Sequence, residues 1–140
     1  MAVDPGHPGD GDVRAAVRAR KDLVVHRVAL ANQLRAHLRA FHPAPVGLFH
    51  ELDGQMSVKF LARFDCQDRV DWLSEKRLAA FLAGIRYSGS TTAEAMHARI
   101  LAAPRGATGA SGAAAVQVTR ALLGALRAQL SRWRAGVYRR

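Results

Sequence analysis

The sequence predicts an all-α protein in which two long basic amphipathic helices, similar to those of coiled coils, flank a cluster of short helices. Residues 13–41 contain neither glycine nor proline, which favours one uninterrupted helix. Residues 116–137 repeat apolar side chains at alternating spacings of three and four, the pattern of a heptad seam. No alternation of apolar and polar residues extends beyond four positions, so no half-buried strand is predicted.

The first part of the chain predicts a tail followed by a long helix. Residues 1–12 are rich in Pro, Gly and Asp, and we expect a disordered tail without the apolar segment of a secretory signal. Asp12 can cap a helix over residues 13–41, which should end before Pro43 because proline lacks a backbone N–H. Apolar side chains recur every seven residues along this helix, at Val17, Val24, Ala31 and Leu38.

The middle of the chain, residues 42–103, predicts several short helices. One covers Ser57 to Phe64, and a second begins after Ser74, which is predicted to be its N-cap. Thr91 and Glu94 match a capping box for a third helix, which should run to about residue 103. Residues 104–112 hold three glycines. They lack the lysine and hydroxyl of a phosphate-binding loop, so we expect a flexible linker.

The last segment, residues 113–137, carries the most regular pattern of the chain. A helix lying on a core and a helix in a coiled coil both show such a seam. The two long helices could therefore pack on each other as an antiparallel pair, or each could pack on a second copy of the chain. The seam positions are Val116, Thr119, Leu123, Leu126, Leu130, Trp133 and Val137.

The positive charge is concentrated at the two ends of the chain. The net charge is +10, of which residues 13–41 and residues 111–140 each contribute +6. Basic runs are often only solvated faces, but two such segments in 140 residues favour contact with a polyanion. The bases that we expect to contact DNA or RNA phosphates are Arg14, Arg18, Lys21, Arg35, Arg39, Arg120, Arg127, Arg132 and Arg134.

The sequence offers weak candidates for a metal or catalytic site. Asp65, Asp68 and Asp71 follow at a spacing of three, but on one helix the first and third diverge too far to share an ion, so capping and solvent exposure are expected. His26 and His37 would lie about 16 Å apart on a helix, too far for one metal. Cys66 is the single cysteine, which excludes a disulfide framework, and no histidine signature makes it a nucleophile. No enzyme class is indicated by these residues.

Three stretches of the chain carry a family resemblance: VRARKDLVVHRVALANQLRAHL at residues 17–38, DWLSEKRLAAFL at residues 71–82 and APRGATG at residues 103–109. They resemble the bacterial transposases of the insertion-sequence-110 family, DEDD-type recombinases related to the Piv invertases. The similarity covers roughly residues 13–130, and it lies in whole segments rather than in a catalytic motif.

The resemblance implies that such transposases have three regions with separate functions. Four acidic residues of an N-terminal RuvC-like domain bind Mg²⁺, a helical coiled-coil region follows, and a C-terminal domain carries a catalytic serine. These enzymes move DNA with a structured RNA guide. This chain resembles the middle region alone, because the acidic quartet would precede Val13 and the serine domain would follow the last helix. No catalytic residue, metal or cofactor is therefore carried over, and Mg²⁺ is implied only for the full-length family.

The function expected from the sequence is that of a truncated transposase-family protein of the bacterial cytoplasm. We expect it to bind DNA or a guide RNA, to pair with itself or with full-length transposase through its long helices, and to perform no strand transfer alone. No segment is apolar enough for a membrane span. The alternatives are a free-standing basic helical protein that binds an acidic protein partner, and a gene remnant without function.

Overall fold

The computed structural model describes residues 8–138, apart from the side chains of residues 8, 10, 133 and 135–138. The described chain is helical and contains no strand, which confirms the all-α prediction with two long helices around shorter ones. None of the described helices combines the length and the apolar character that crossing a membrane requires. In chain order the helices are α1 (Pro8–Phe41), α2 (Ala44–Leu48), α3 (Gln55–Arg63), α4 (Gln67–Asp71), α5 (Glu75–Gly84), α6 (Ala93–Ala102) and α7 (Gly109–Tyr138).

Helix α1 begins at Pro8, five residues before the predicted start at Val13. Residues 8–12, predicted to belong to a disordered tail, are therefore helical, and Asp12 lies inside the helix and does not cap it. Proline is tolerated in the first turn of a helix, where no N–H bond is lost. Residues 1–7 of the predicted tail lie outside the described residues. The helix ends at Phe41, just before Pro43, as predicted.

Helices α1 and α7 pack against each other in antiparallel directions. The end of α1 lies beside the start of α7, where His37 Nε2 is 2.9 Å from Thr119 Oγ1. Two to three turns earlier in α1, Arg27 forms an ion pair with Asp53, at the entrance to α3. Helix α3 in turn borders the second half of α7. The long helices therefore pair within one chain, which is one of the two arrangements that the sequence left open.

The seam of α7 forms part of the core. Val116, Thr119, Leu123 and Leu126 are buried, and Leu130 packs against the core from its edge. The seam positions Trp133 and Val137 lie outside the described side chains. Thr119 is the polar member of the seam, and its hydroxyl is satisfied by His37 and by the carbonyl of Ala115.

The predicted apolar stripe, which repeats every seven residues along α1, is buried in only half of the helix. Leu38 is fully buried and Ala31 is half-buried, but Val17 and Val24 remain exposed over 46% and 36% of their surface. A strict seven-residue repeat drifts by about 20° per heptad around a straight helix. Over the three heptads from Leu38 back to Val17 the stripe therefore turns about 60° away from α7.

The short helices supply the rest of the core, around four phenylalanine rings. Phe60 is fully buried, and its ring centroid lies 5.0 to 5.9 Å from those of Phe49, Phe64 and Phe81, in tilted and edge-on orientations that aromatic pairs prefer. The predicted cap at Ser74 is confirmed, because its hydroxyl accepts a hydrogen bond from the N–H of Arg77.

The predicted capping box at Thr91 does not form. Thr92 caps α6 instead, and its hydroxyl accepts the N–H of Ala95 at 3.1 Å. Glu94 consequently lies one position too early in the helix to bond back to the cap, and it serves only as an acidic residue of the first turn.

Candidate nucleic-acid interface

The predicted phosphate-contacting bases lie on the outside of the two long helices. On α1 the side chain of Arg35 is half-buried, and the other predicted bases of that helix are exposed. The predicted bases of α7 are all exposed. They do not converge on one site, because α1 and α7 each spread their bases over several turns.

Two of the predicted bases border a groove between α3 and α7. Arg127 and Arg134 are seven residues apart, two turns on the same face of α7, and Lys59 of α3 lines the opposite side. The groove has a volume of about 410 Å³, and its lining includes the amide of Gln55 and the hydroxyl of Ser131 but no carboxylate. We call the five polar residues of this lining the basic groove: Gln55, Lys59, Arg127, Ser131 and Arg134.

Lys59 was missed by the sequence analysis. It is one of eight bases in a stretch of nearly balanced charge, residues 42–110, so its charge did not stand out. The signal that could have found it is its exposed position on the amphipathic helix α3, opposite the buried Val58 and Phe60. Its distance of 68 residues from Arg127 in the chain hides the pairing from any local pattern.

Arg120 has a different environment from the other predicted bases. Its Nε lies 3.2 Å from Oδ2 of Asp65, whose carboxylate is only 2% exposed. Arg69 lies 3.3 Å from the other oxygen of the same carboxylate. Phosphate binding at Arg120 would therefore compete with its ion pair to the buried Asp65 carboxylate, and we assign this arginine a structural role.

The three aspartates pair with groups of α7 and of the loop that precedes it. Asp65 is paired with Arg120 of α7, Asp68 accepts the N–H of Gly109 at 3.3 Å, and Asp71 binds both ends of the Arg105 guanidinium at 3.0 and 2.6 Å. We call these three residues the aspartate clamp. Solvent exposure, expected from the sequence, is wrong for Asp65, because the packing of α7 covers it.

The clamp also explains why residues 104–112 do not behave as a simple linker. The Asp68 carboxylate accepts a hydrogen bond from the first free N–H of α7, a group that would otherwise attract an external anion to the helix N-terminus. The side chain of Gln67 accepts the N–H of Gly106 and donates to Asp71. The bidentate bond from Arg105 holds the pKa of the Asp71 carboxyl below its usual value. Helix α7 begins at Gly109, four residues before the predicted boundary, because these bonds order the loop.

Three of the described histidines, His37, His42 and His97, bond within the fold. His37 contacts Thr119, and His97 Nε2 lies 3.2 Å from the carbonyl oxygen of Leu73. His42 is buried and donates from Nε2 to the carbonyl of Phe64, and burial lowers the pKa of its ring. Among the described residues no three His, Cys, Asp or Glu side chains are grouped as metal ligands.

Comparisons with known proteins add no identification. No family model, no curated protein and no solved structure matches the chain.

Proposed function

We propose that this chain is the helical middle region of an insertion-sequence-110-type transposase, and that it binds the phosphate backbone of DNA or RNA at the basic groove. The basic groove is the observation that carries the proposal. Lys59, Arg127 and Arg134 meet there without a carboxylate in the lining, so no acidic side chain of the groove neutralises their positive charge before a phosphate binds. Arginine and lysine donors in such a groove contact backbone phosphates whatever the base sequence.

The rest of the structure supports a binding role rather than a catalytic one. The carboxylates that could have held Mg²⁺ face arginines and backbone N–H groups in the aspartate clamp, so these residues do not fit the metal that the resemblance implies for full-length relatives. In a full-length relative the paired α1 and α7 would connect the catalytic domains and position nucleic acid between them.

The proposed partner of the exposed valines of α1 is a second copy of the chain or the full-length transposase. Val13, Val17, Val24, Val25 and Val28 are exposed although α1 and α7 already pair within the chain. Self-association would cover this apolar surface.

The test is the salt dependence of nucleic acid binding by a groove variant. Replacing Arg127 and Arg134 together with alanine should lower the slope of log affinity against log salt concentration by about 1.4 to 1.8, since each lost phosphate contact contributes about 0.7 to 0.9. Fluorescence anisotropy of a labelled oligonucleotide at 50 to 200 mM salt measures the slope. The matched control is Lys76→Ala with Arg99→Ala, which removes the same charge away from the groove.

Equal slopes for the groove variant and its control would refute the groove as the binding site. Absence of binding to DNA and RNA by the parent chain at low salt would refute the proposed function as a whole. If a pull-down instead recovers an acidic protein after nuclease treatment, the interaction-protein alternative is correct.

A further inference from the structure

A second surface feature, separate from the basic groove, surrounds an exposed tryptophan. Trp72 lies at the end of α4, with 51% of its surface exposed. It borders a cavity of about 450 Å³ together with Arg63, Phe64, Arg77 and Phe81. It also borders a smaller depression of about 250 Å³, on whose rim Arg69 replaces Arg77. We call these two adjoining depressions the Trp72 pocket.

The indole of Trp72 is held in place from one side. The guanidinium carbon of Arg77 lies 4.3 Å from the centre of the ring, and Nη1 of the same arginine donates to the carbonyl of Trp72 at 2.8 Å. Helix α5, which carries Arg77, is fixed by its Ser74 cap. An exposed aromatic ring that is already oriented loses little conformational freedom when a second flat group stacks on it.

The floor of the pocket is buried and apolar. Phe64 and Phe81 are buried members of the core cluster, and their rings meet edge-on with centroids 5.2 Å apart. Arg63 extends across them, with its guanidinium carbon 5.6 and 5.8 Å from the two ring centres. The arginine thus covers an aromatic floor while its charge remains at the surface.

The charge of the pocket is entirely positive. Arg63, Arg69 and Arg77 line it, and no carboxylate does. Arg69 is partly neutralised by Asp65, whereas no described carboxylate pairs with Arg63 or Arg77. Aromatic faces combined with arginines are the chemistry that binds unpaired bases, because each base stacks on the ring while its phosphate meets a guanidinium.

The pocket and the basic groove are connected along α3. Lys59 of the groove and Arg63 of the pocket are exposed and four residues apart, so they lie on one face of the helix about 6 Å from each other along its axis. A backbone that runs through the groove at Lys59 therefore reaches the pocket within one helical turn.

We propose that the Trp72 pocket receives an unpaired base of a single-stranded nucleic acid whose phosphates run along α3 into the basic groove. The proposal rests on the nucleic acid binding proposed above, and it adds that the chain prefers single strands to duplexes. In a duplex the bases are stacked within the helix and are not free to reach the indole.

The experiment uses fluorescence of Trp72 in a Trp133→Phe background, which leaves one tryptophan in the chain. Titration with a twelve-nucleotide single strand should quench the emission saturably, and the corresponding duplex should quench it much less. Anisotropy of the labelled strand then compares variants. We expect Trp72→Ala to weaken single-strand binding about 10-fold, and Trp72→Phe, which keeps a stacking ring, to weaken it less than 3-fold.

The control is Leu101→Ala, a truncation of another large, exposed apolar side chain, which should leave single-strand binding unchanged. Circular dichroism melting of Trp72→Ala establishes that the variant is folded, and Trp72→Phe keeps the test valid if it is not.

The outcomes separate this proposal from the proposed function. Unchanged single-strand affinity in Trp72→Ala, with the salt slope still dependent on Arg127 and Arg134, overturns the pocket and leaves the groove intact. Tighter binding to the duplex than to the single strand overturns it as well. If poly-glutamate quenches Trp72 and neither nucleic acid binds, the pocket takes an acidic peptide and both proposals fail.

Discussion

Asp65 illustrates how one buried side chain connects distant parts of the chain. Its carboxylate is almost fully removed from water, and both oxygens lie near guanidinium groups, from Arg69 on one side and Arg120 on the other. Burying a carboxylate is costly unless it is paired, and the ion pairs with the two half-exposed arginines offset the loss of hydration. The same pairing brings α7 against the loop before α4.

Replacement of Asp65 with asparagine should lower the free energy of unfolding by about 1 to 3 kcal/mol, because two arginines lose their counter-charge and a neutral amide is buried instead. Urea unfolding followed by circular dichroism measures the change. Asp68→Asn is the matched control, since its amide oxygen can still accept the N–H of Gly109, and it should cost less than about 0.5 kcal/mol. Equal losses in the two variants would contradict the structural role assigned to Asp65.

At the scale of elements, the order of residues 104–112 depends on close backbone contact with the end of α1. The N–H of Ala107 donates to the carbonyl of Phe41 at 2.9 Å, and a methyl group added at Gly106 would overlap the same carbonyl oxygen. Glycine is therefore required at position 106 because the two backbones approach too closely there to leave room for a side chain.

Replacement of Gly106 with alanine should destabilise the protein by about 1 to 3 kcal/mol, because the backbone contact has to open. Gly84→Ala is the control. Its added methyl meets open space, so this variant should be about as stable as the parent. Thermal melting compares the two. A Gly106→Ala variant as stable as Gly84→Ala would show that the loop is not held in this position.

At the scale of the whole molecule, the charge and the apolar surface are distributed unevenly. Arg27 and Arg120 lie next to the packed faces of the long helices and pair with Asp53 and Asp65 from the middle region. The middle region thus supplies counter-charges that lower the repulsion between two basic helices. The first half of α1 has a row of exposed valines that the rest of the described chain leaves uncovered.

If a second copy covers these valines, replacing Val17 and Val24 with serine should shift the protein from dimer to monomer at micromolar concentration, because the apolar contact area is lost. Multi-angle light scattering measures the mass. Val118→Ser changes a similarly exposed valine on α7 and should leave the mass unchanged. A monomeric parent chain, or a double variant of unaltered mass, would contradict the proposed self-association.

Sequence periodicity was informative for the elements and much less so for their contacts. The end of α1 before Pro43, the cap at Ser74 and the seam from Val116 to Leu126 were all predicted, because each depends on side chains within one or two helical turns. Thr92 took the cap in place of Thr91, a shift of one residue that propensity alone does not resolve.

The candidate sites were less predictable because their residues are distant in the chain. Arg127 and Arg134 were expected to contact phosphate, but Lys59 joins them only through the packing of α3 on α7. No binding role was predicted for Trp72 from the sequence, because that role depends on Arg77, which stacks on its ring, and on Phe81 in the floor of the pocket.

The sequence by itself determined that this protein is helical, where the long helices lie and that both are basic, because hydrophobic period, proline and charge act locally along the chain. Only the tertiary structure decided that the seam of α7 faces α1 and the core of the same chain. The tertiary structure also decided that the aspartate clamp holds the start of α7, and that the basic groove and the Trp72 pocket lie next to each other along α3. Those arrangements depend on which faces meet across tens of residues, and many pairings satisfy the same local pattern until packing and buried charge select one.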